Sequence, residues 1–344
     1  MDQRFTELPR QTRQRHLRTV AGDVLTRYGL DAPDVRLLQY EDNAVFLVES
    51  GEGRHVLRMS VTDGRSAAEQ ASELAWMAAL TDDEAALVPA PVSTRADEAV
   101  VSMDLAGWPE PVTSVLFEWV PGEPSPAHDR PNLAADLGRT TARLHEHATA
   151  FRPPAGFVRP SWGHREVFAD GATLTDPLAG TRLDPADRAM LARVSEVVRE
   201  RLPAPDPADW GLIHADLHRG NVVSTPDGRV AVIDFDDSGW GFYMLDVATV
   251  LSSILRTCLD DRAAYAGFAA EFLDAYRSVR PLPPSACALD EFLVMRDMII
   301  MNFNLGSRNE KVLSTAPERT AGILRLMREY LESGSYDGNV PLAG

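Results

Sequence analysis

The chain has 344 residues, too long for one small module and about two domains' worth at roughly 150 residues each. Hydrophobic residues make up 44% and charged residues 25%, an ordinary globular composition that excludes a disordered or fibrous chain. The net charge of −17 argues against a general nucleic-acid binder, which carries a basic face.

Apolar residues at Leu17, Val20, Val24 and Leu25 fall on one helical stripe and predict a helix over 6–28, ended by Gly29. A β-rich stretch follows. Residues 43–49 and 55–59 read as two strands joined by a turn at Ser50-Gly-Glu-Gly53. A helix is expected over 66–80, and Pro89-Ala-Pro91 breaks the pattern. Further strands are expected over 99–103 and 115–119. After Pro121-Gly122 the pattern turns to helices separated by proline-rich loops, over 133–147 and 185–201. A compact β island is expected over 211–235, followed by helices near 244–258, 262–277, 288–305 and 317–332. The plan is α+β: an N-terminal lobe over 1–120 with a small antiparallel sheet and a packed helix, then a larger, mainly helical lobe over 121–344. Cys258 and Cys287 form no CxxC or Cys/His cluster and read as buried free thiols of a reducing compartment. The polar N-terminus lacks a signal-peptide core, and no apolar run approaches the roughly 18 residues of a membrane span. A soluble cytoplasmic protein without nucleic-acid or membrane partners is expected.

Chemistry concentrates in Leu212-Ile-His-Ala-Asp-Leu-His-Arg-Gly-Asn-Val-Val223 and Val230-Ala-Val-Ile-Asp-Phe-Asp236. An apolar strand delivers His214 and Asp216 into a short loop, the turn Thr225-Pro-Asp-Gly228 reverses the chain, and a second strand ends at Asp234. Hairpin geometry would then gather Asp216, Asn221 and Asp234 at one end. One carboxylate can take a hydroxyl proton, while an amide oxygen and a second carboxylate are hard ligands that suit Mg²⁺.

The string HADLHRGN resembles the H-G-D-L-H-x-x-N catalytic loop of the aminoglycoside phosphotransferase and choline kinase family, relatives of the protein kinases. IDFDD resembles that family's metal-binding strand, and Tyr243-Met-Leu-Asp-Val-Ala248 its downstream D-[LIV]-A segment. The detail is most similar to the branch containing type II homoserine kinase. The resemblance implies a protein-kinase-like two-lobe fold, with Asp216 as catalytic base and Asn221 and Asp234 holding Mg²⁺ on the phosphates of ATP or GTP. It implies architectural roles for His214 and Asp246, with His218 more structural than chemical. Asp236 and Asp237 either orient a cationic substrate or cap the following turn.

Relatives grip phosphate with a basic residue on the third strand, in many cases lysine. Of the 34 basic residues here, 33 are arginine and only Lys311 is lysine. Arg58 occupies the position, and a guanidinium can hold phosphate bidentately. Its partner is Glu69 or Glu73, which share one helix face; spacing leaves both open. No G-x-G-x-x-G precedes that strand. Gln39-Tyr-Glu-Asp-Asn43 fills the turn instead, with Asn43 either touching phosphate or capping the turn. Phe117-Glu-Trp-Val-Pro-Gly122 resembles the segment that meets the purine, through the Glu118 carbonyl and the Val120 N–H. Backbone recognition leaves the base unspecified. His145 and His147 either act as ligands, pack in the core or meet the C-terminal dipole of their helix; Asp290, Glu291 and Asp297 either recognise amines or form a solvated face.

The expected activity is transfer of a nucleotide γ-phosphoryl to a hydroxyl of a small molecule. An antibiotic-inactivating kinase is the leading expectation. A metabolic kinase of homoserine or another hydroxylated amine is the alternative, and a bacterial stress-type protein kinase the third. The chain has no activation segment with an A-P-E-like end, which weakens that third reading. Intact Asp216, Asn221 and Asp234 argue against an inactive scaffold.

Overall fold

The computed structural model describes residues 8–30, 33–40, 43–60, 65–104, 111–124, 132–168, 177–258, 261–307 and 310–336. The chain forms two compact units, Met1–Gly122 with Arg152–Arg159, and Glu123–Phe151 with Pro160–Gly344.

The first unit contains α1 (Arg10–Tyr28), β1 (Asp34–Tyr40), β2 (Asn43–Ser50), β3 (Gly53–Ser60), α2 (Ala67–Asp82), β4 (Pro91–Val92), β5 (Val101–Met103) and β6 (Val112–Glu118). The sheet is antiparallel in the order β1-β2-β3-β6-β4, with β5 also on β6. Leu17, Val20, Ala21, Val24 and Leu25 of α1 pack on Ala44, Phe46, Val48, Leu57, Met59 and Leu116 of the strands. The apolar stripe therefore does what its spacing requires: it buries one face of the sheet. Gly29 ends α1 in the left-handed conformation at φ 80° and donates its N–H to the Thr26 carbonyl. Strand β1 was not expected from the sequence. It is an edge strand whose exposure alternates along its length, so half of it is polar and its hydrophobic signal is weak.

The second unit contains β7 (Glu123–Pro124), α3 (Leu133–Ala150), α4 (His164–Phe168), α5 (Pro177–Thr181), α6 (Pro185–Arg201), β8 (Trp210–Ile213), β9 (Val222–Ser224), β10 (Val230–Val232), β11 (Gly239–Phe242), α7 (Tyr243–Leu255), α8 (Arg262–Arg277), α9 (Leu289–Gly306) and α10 (Glu310–Ser333). Every residue of α7 is buried; α3, α8 and α9 pack on it, and α9 in turn meets α4, α5, α6 and α10. The expected β island is two sheets. β9 pairs with β10 and β7, whereas β8 pairs with β11. Helix α10 begins well before the expected 317 and carries Pro317 inside it. Buried Val312 and Ala316 extend its apolar stripe N-terminal to the proline, and that burial outweighs the lost hydrogen bond.

Helices α3 and α8 approach closely at Gly138. A Cβ there would lie 2.2 Å from the Phe272 carbonyl oxygen and 3.0 Å from the Ala275 Cβ. The first clash is with backbone, so no rotamer change relieves it. Gly138→Ala should therefore destabilise the protein by about 1–3 kcal/mol, read as a lower urea midpoint; an unchanged midpoint would refute this close crossing.

Candidate active site

The loop between β8 and β9 is built around the carboxylate of Asp246, one turn into α7. Asp246 Oδ2 accepts the His214 N–H at 2.8 Å and Oδ1 accepts the Ala215 N–H at 2.7 Å. Ala215 is held at φ 64°, left-handed space that costs an alanine about 1–2 kcal/mol. Two hydrogen bonds to a charged acceptor, about 1.5–3 kcal/mol each, outweigh that strain. Ala215 stands where the resembling motif has glycine, so the clamp does here what glycine's freedom would do elsewhere.

Asp246 is itself held. His145 of α3 lies 3.2 Å from Asp246 Oδ2 through Nε2 and 2.8 Å from the Tyr276 hydroxyl through Nδ1. A carboxylate only accepts, so Nε2 carries the proton and Nδ1 accepts from Tyr276. His145 is fully buried, and burial pushes its pKa below the usual imidazole range, only partly offset by Asp246. His214 is buried and likewise pushed down by burial. Its Nε2 donates to the Ile233 carbonyl at 3.1 Å and its Nδ1 accepts the Asp216 N–H at 3.3 Å. His145, whose sequence readings include core packing, is thus part of the chain that fixes the loop.

Asp216 follows. Its Oδ2 accepts from Asn221 Nδ2 at 2.9 Å, and the same nitrogen lies 3.0 Å from the Asp216 carbonyl. His218 Nε2 stands 3.4 Å from Oδ2. Arg296 of α9 donates through Nη2 to Oδ1 at 2.5 Å, a contact the sequence did not signal. Burial alone would raise the carboxyl, but the Arg296 guanidinium, His218 and His214 outweigh it and hold Asp216 well below the usual carboxylate range.

Asn221 and Asp234 come to the same end of the β9–β10 hairpin, where the Ile233 N–H donates to the Asn221 carbonyl at 3.0 Å. Asp234 is exposed and takes φ 65°, which aspartate tolerates better than most residues. Because Asn221 commits its NH₂ to Asp216, its amide oxygen is the group left for a ligand. An amide oxygen and a carboxylate fit a hard divalent cation that keeps several waters. Among the described residues no group of three or more His, Cys, Asp and Glu side chains gathers as a metal site. Asp236 and Asp237 are partly buried, and the Asp237 carbonyl accepts from Trp162 Nε1 at 2.8 Å.

In the first unit Arg58 of β3 is 7% exposed and forms a two-pronged pair with Glu73, at 2.8 and 2.6 Å. The choice the sequence left open falls to Glu73. Glu69 closes a capping box with Ser66 at the start of α2, accepting from its N–H at 2.9 Å and its hydroxyl at 2.8 Å. Arg58 also stacks over Phe117 at 5.5 Å. Asn43 opens β2 opposite Ser60; its neighbours Glu41 and Asp42 in the expected turn lie outside the described residues. Glu118 ends β6 and donates its N–H to the Ala90 carbonyl at 2.9 Å, and Val120 follows it, partly buried.

Glu291 and Asp297 of α9 are not a solvated face. Glu291 accepts from the Tyr330 hydroxyl at 2.7 Å, and buried Asp297 is bonded by Arg256 and by the Tyr336 hydroxyl, each at 2.5 Å. Both carboxylates are spent on holding α9 to its neighbours.

A model of the APH phosphotransferase enzyme family matches residues 35–282. The chain belongs to this family. The homoserine kinase of Gluconobacter oxydans is 30% identical over 81% of this chain and 81% of its own length. The amicoumacin kinase of Bacillus subtilis is 26% identical over 83% of this chain and 84% of its own. The structure of a microcompartment-associated aminopropanol kinase has a TM-score of 0.79 and 33% identity, covering 93% of this chain and 98% of that one. The fold is protein-kinase-like, and this APH-family chain is a kinase. Among its described residues no helix is long and apolar enough to cross a membrane.

The neutral His145 gives this phosphotransferase an acid sensitivity. Its folded pKa lies below the unfolded value of about 6.5, so the unfolded chain binds more protons below that pH. The stability it contributes is full above about pH 6.5 and is lost progressively as pH falls toward the folded pKa. His145→Gln keeps a donor toward Asp246 without a titrating ring. The variant should lose less Tm than the parent between pH 6.5 and 5; parallel Tm curves would show that His145 does not titrate in this window.

Proposed function

We propose that this kinase transfers the γ-phosphoryl of ATP to the hydroxyl of a small amine-bearing alcohol, with Mg²⁺. The observation that carries the reading is the pairing of Asp216 with Asn221 on a loop clamped by Asp246. It supplies one acceptor for a hydroxyl and one amide oxygen for a metal. In the step, the acceptor oxygen bonds to the γ-phosphorus, the bridging oxygen leaves with the nucleoside diphosphate, and the hydroxyl proton passes to the Asp216 carboxylate. Asn221 and Asp234 would hold the metal, which neutralises charge on the phosphates. Arg58, fixed in direction by Glu73, would grip phosphate oxygens. Asn43 would lie near those phosphates, and the Glu118 carbonyl and Val120 N–H would receive the base, which leaves GTP open as a donor. The protein's contribution is positioning and electrostatics.

The acceptor class is supported by what the relatives act on by name: homoserine, aminopropanol and amicoumacin. Asp236 and Asp237, beside the proposed metal carboxylate, would meet the amine. The similarity to amicoumacin kinase favours a second reading, inactivation of an antibiotic. A nucleotide-consumption assay across amino alcohols, homoserine and amicoumacin-type antibiotics separates the two readings. Phosphorylation of a drug together with a raised inhibitory concentration on expression would select the second.

Asp216→Ala should abolish phosphoryl transfer while nucleotide binding persists, and full turnover in that variant would overturn the mechanism. Arg58→Ala should raise the KM for nucleotide at least about ten-fold, the loss of a charge-assisted contact to phosphate of about 1.5–3 kcal/mol; an unchanged KM would remove Arg58 from phosphate binding.

A further inference from the structure

Helix α9 aims one buried cation at the loop. Arg296 is 5% exposed, with Nη2 donating to Asp216 Oδ1 at 2.5 Å and Nη1 to the Ala215 carbonyl at 3.3 Å. The two acceptors belong to consecutive residues: the one in left-handed space and the one that carries the carboxylate. A planar guanidinium that binds both sets their relative direction, which a point-charge ammonium would not. Asn221 and His218 meet the other carboxylate oxygen, so the group is held from both sides. Oδ1 accepts from Arg296 alone and keeps a second acceptor direction for a hydroxyl.

Stability alone does not account for this arrangement. A buried ion pair repays its desolvation only when its polar atoms are satisfied, and Arg296 Nε is buried with no hydrogen-bond partner among the described residues. The helix is also fixed against rolling. The next residue, Asp297, is bonded by Arg256 and Tyr336, and Glu291 by Tyr330 and Arg201. Any rotation that withdrew Arg296 would break these contacts.

We propose that Arg296 is a positioning residue for phosphoryl transfer: it pins the Ala215 peptide and fixes the direction from which the Asp216 carboxylate receives the acceptor hydroxyl. The proposal rests on Asp216 being that acceptor. A misplacement of about 1 Å at such a group can cost on the order of a hundred-fold in rate.

The test measures phosphate release from ATP and Mg²⁺ with water as the acceptor, so it does not depend on the identity of the substrate. Arg296→Met should lower kcat by about 10- to 100-fold with the KM for ATP within about two-fold. Low-millimolar guanidinium should restore part of kcat, and sodium chloride at equal ionic strength should not. Unchanged kcat, or a loss in a folded variant that guanidinium fails to restore, overturns the proposal. If Arg296→Met shows no cooperative thermal transition, Arg296→Lys decides. Lysine keeps the charge without the fork, so a kcat reduced about ten-fold supports the brace and a wild-type kcat refutes it. Asp216→Ala runs beside these variants. Persistent release there overturns the assignment of Asp216 itself, whereas its loss alongside active Arg296 variants overturns only the role of Arg296.

Discussion

The geometry of the loop between β8 and β9 depends on the carboxylate of Asp246, buried without access to water. An isolated buried carboxylate is expensive. This one is made tolerable by two backbone N–H groups, from His214 and Ala215, and by the imidazole of His145. The same bonds that satisfy the charge force the backbone into its turn, so satisfaction and positioning are one interaction. Removing the carboxylate would release Ala215 from left-handed space and leave two buried N–H donors without partners. Tyr276 extends the chain of donors to α8, and His214 extends it to the end of β10 through the Ile233 carbonyl. Four separate segments of the second unit are thereby tied to one side chain.

Arginine does the work that lysine would share in most chains. Arg58 with Glu73, Arg256 with Asp297 and Arg296 with Asp216 place guanidinium groups against carboxylates. Arg58 and Arg296 are nearly inaccessible. Guanidinium is more weakly hydrated than ammonium and its charge is permanent, so burial costs it less and does not switch it off. Its several fixed donors let each cation meet a second acceptor: the Ala215 carbonyl for Arg296, the Ser252 hydroxyl for Arg256. The pairing sets direction as well as strength. Both terminal nitrogens of Arg58 face Glu73, so the plane of the group is set before any ligand arrives.

The legible parts of the sequence were those with local signatures. Helices α6 and α8 read to their ends because proline and aspartate mark their starts and periodic apolar residues fill them. The loop residues Asp216, Asn221 and Asp234 read together because a hairpin of known turn chemistry joins them over a short span. Even there the sheet partner of β8 was missed, since β11 lies beyond the hairpin and announces itself only by Gly239 and Gly241. A Cβ at those positions would strike the Pro160 carbonyl and the Ile213 side chain.

Arg296 and His145 had no such signature. Arg296 is 80 residues from Asp216 and His145 is 101 from Asp246, and each sits in a helix whose periodicity explains it without reference to the loop. In α9 Glu291 and Asp297, open from the sequence to amine recognition or a solvated face, are spent on Arg256, Tyr330 and Tyr336. Periodicity identifies which face of a helix is buried; it does not distinguish a buried polar residue that fills space from one that holds a distant loop. That distinction depends on what the opposing surface presents. Here the opposing surface is a strained loop carrying two acceptors, the Ala215 carbonyl and the Asp216 carboxylate, and a residue with two parallel donors is the side chain that can satisfy both at once.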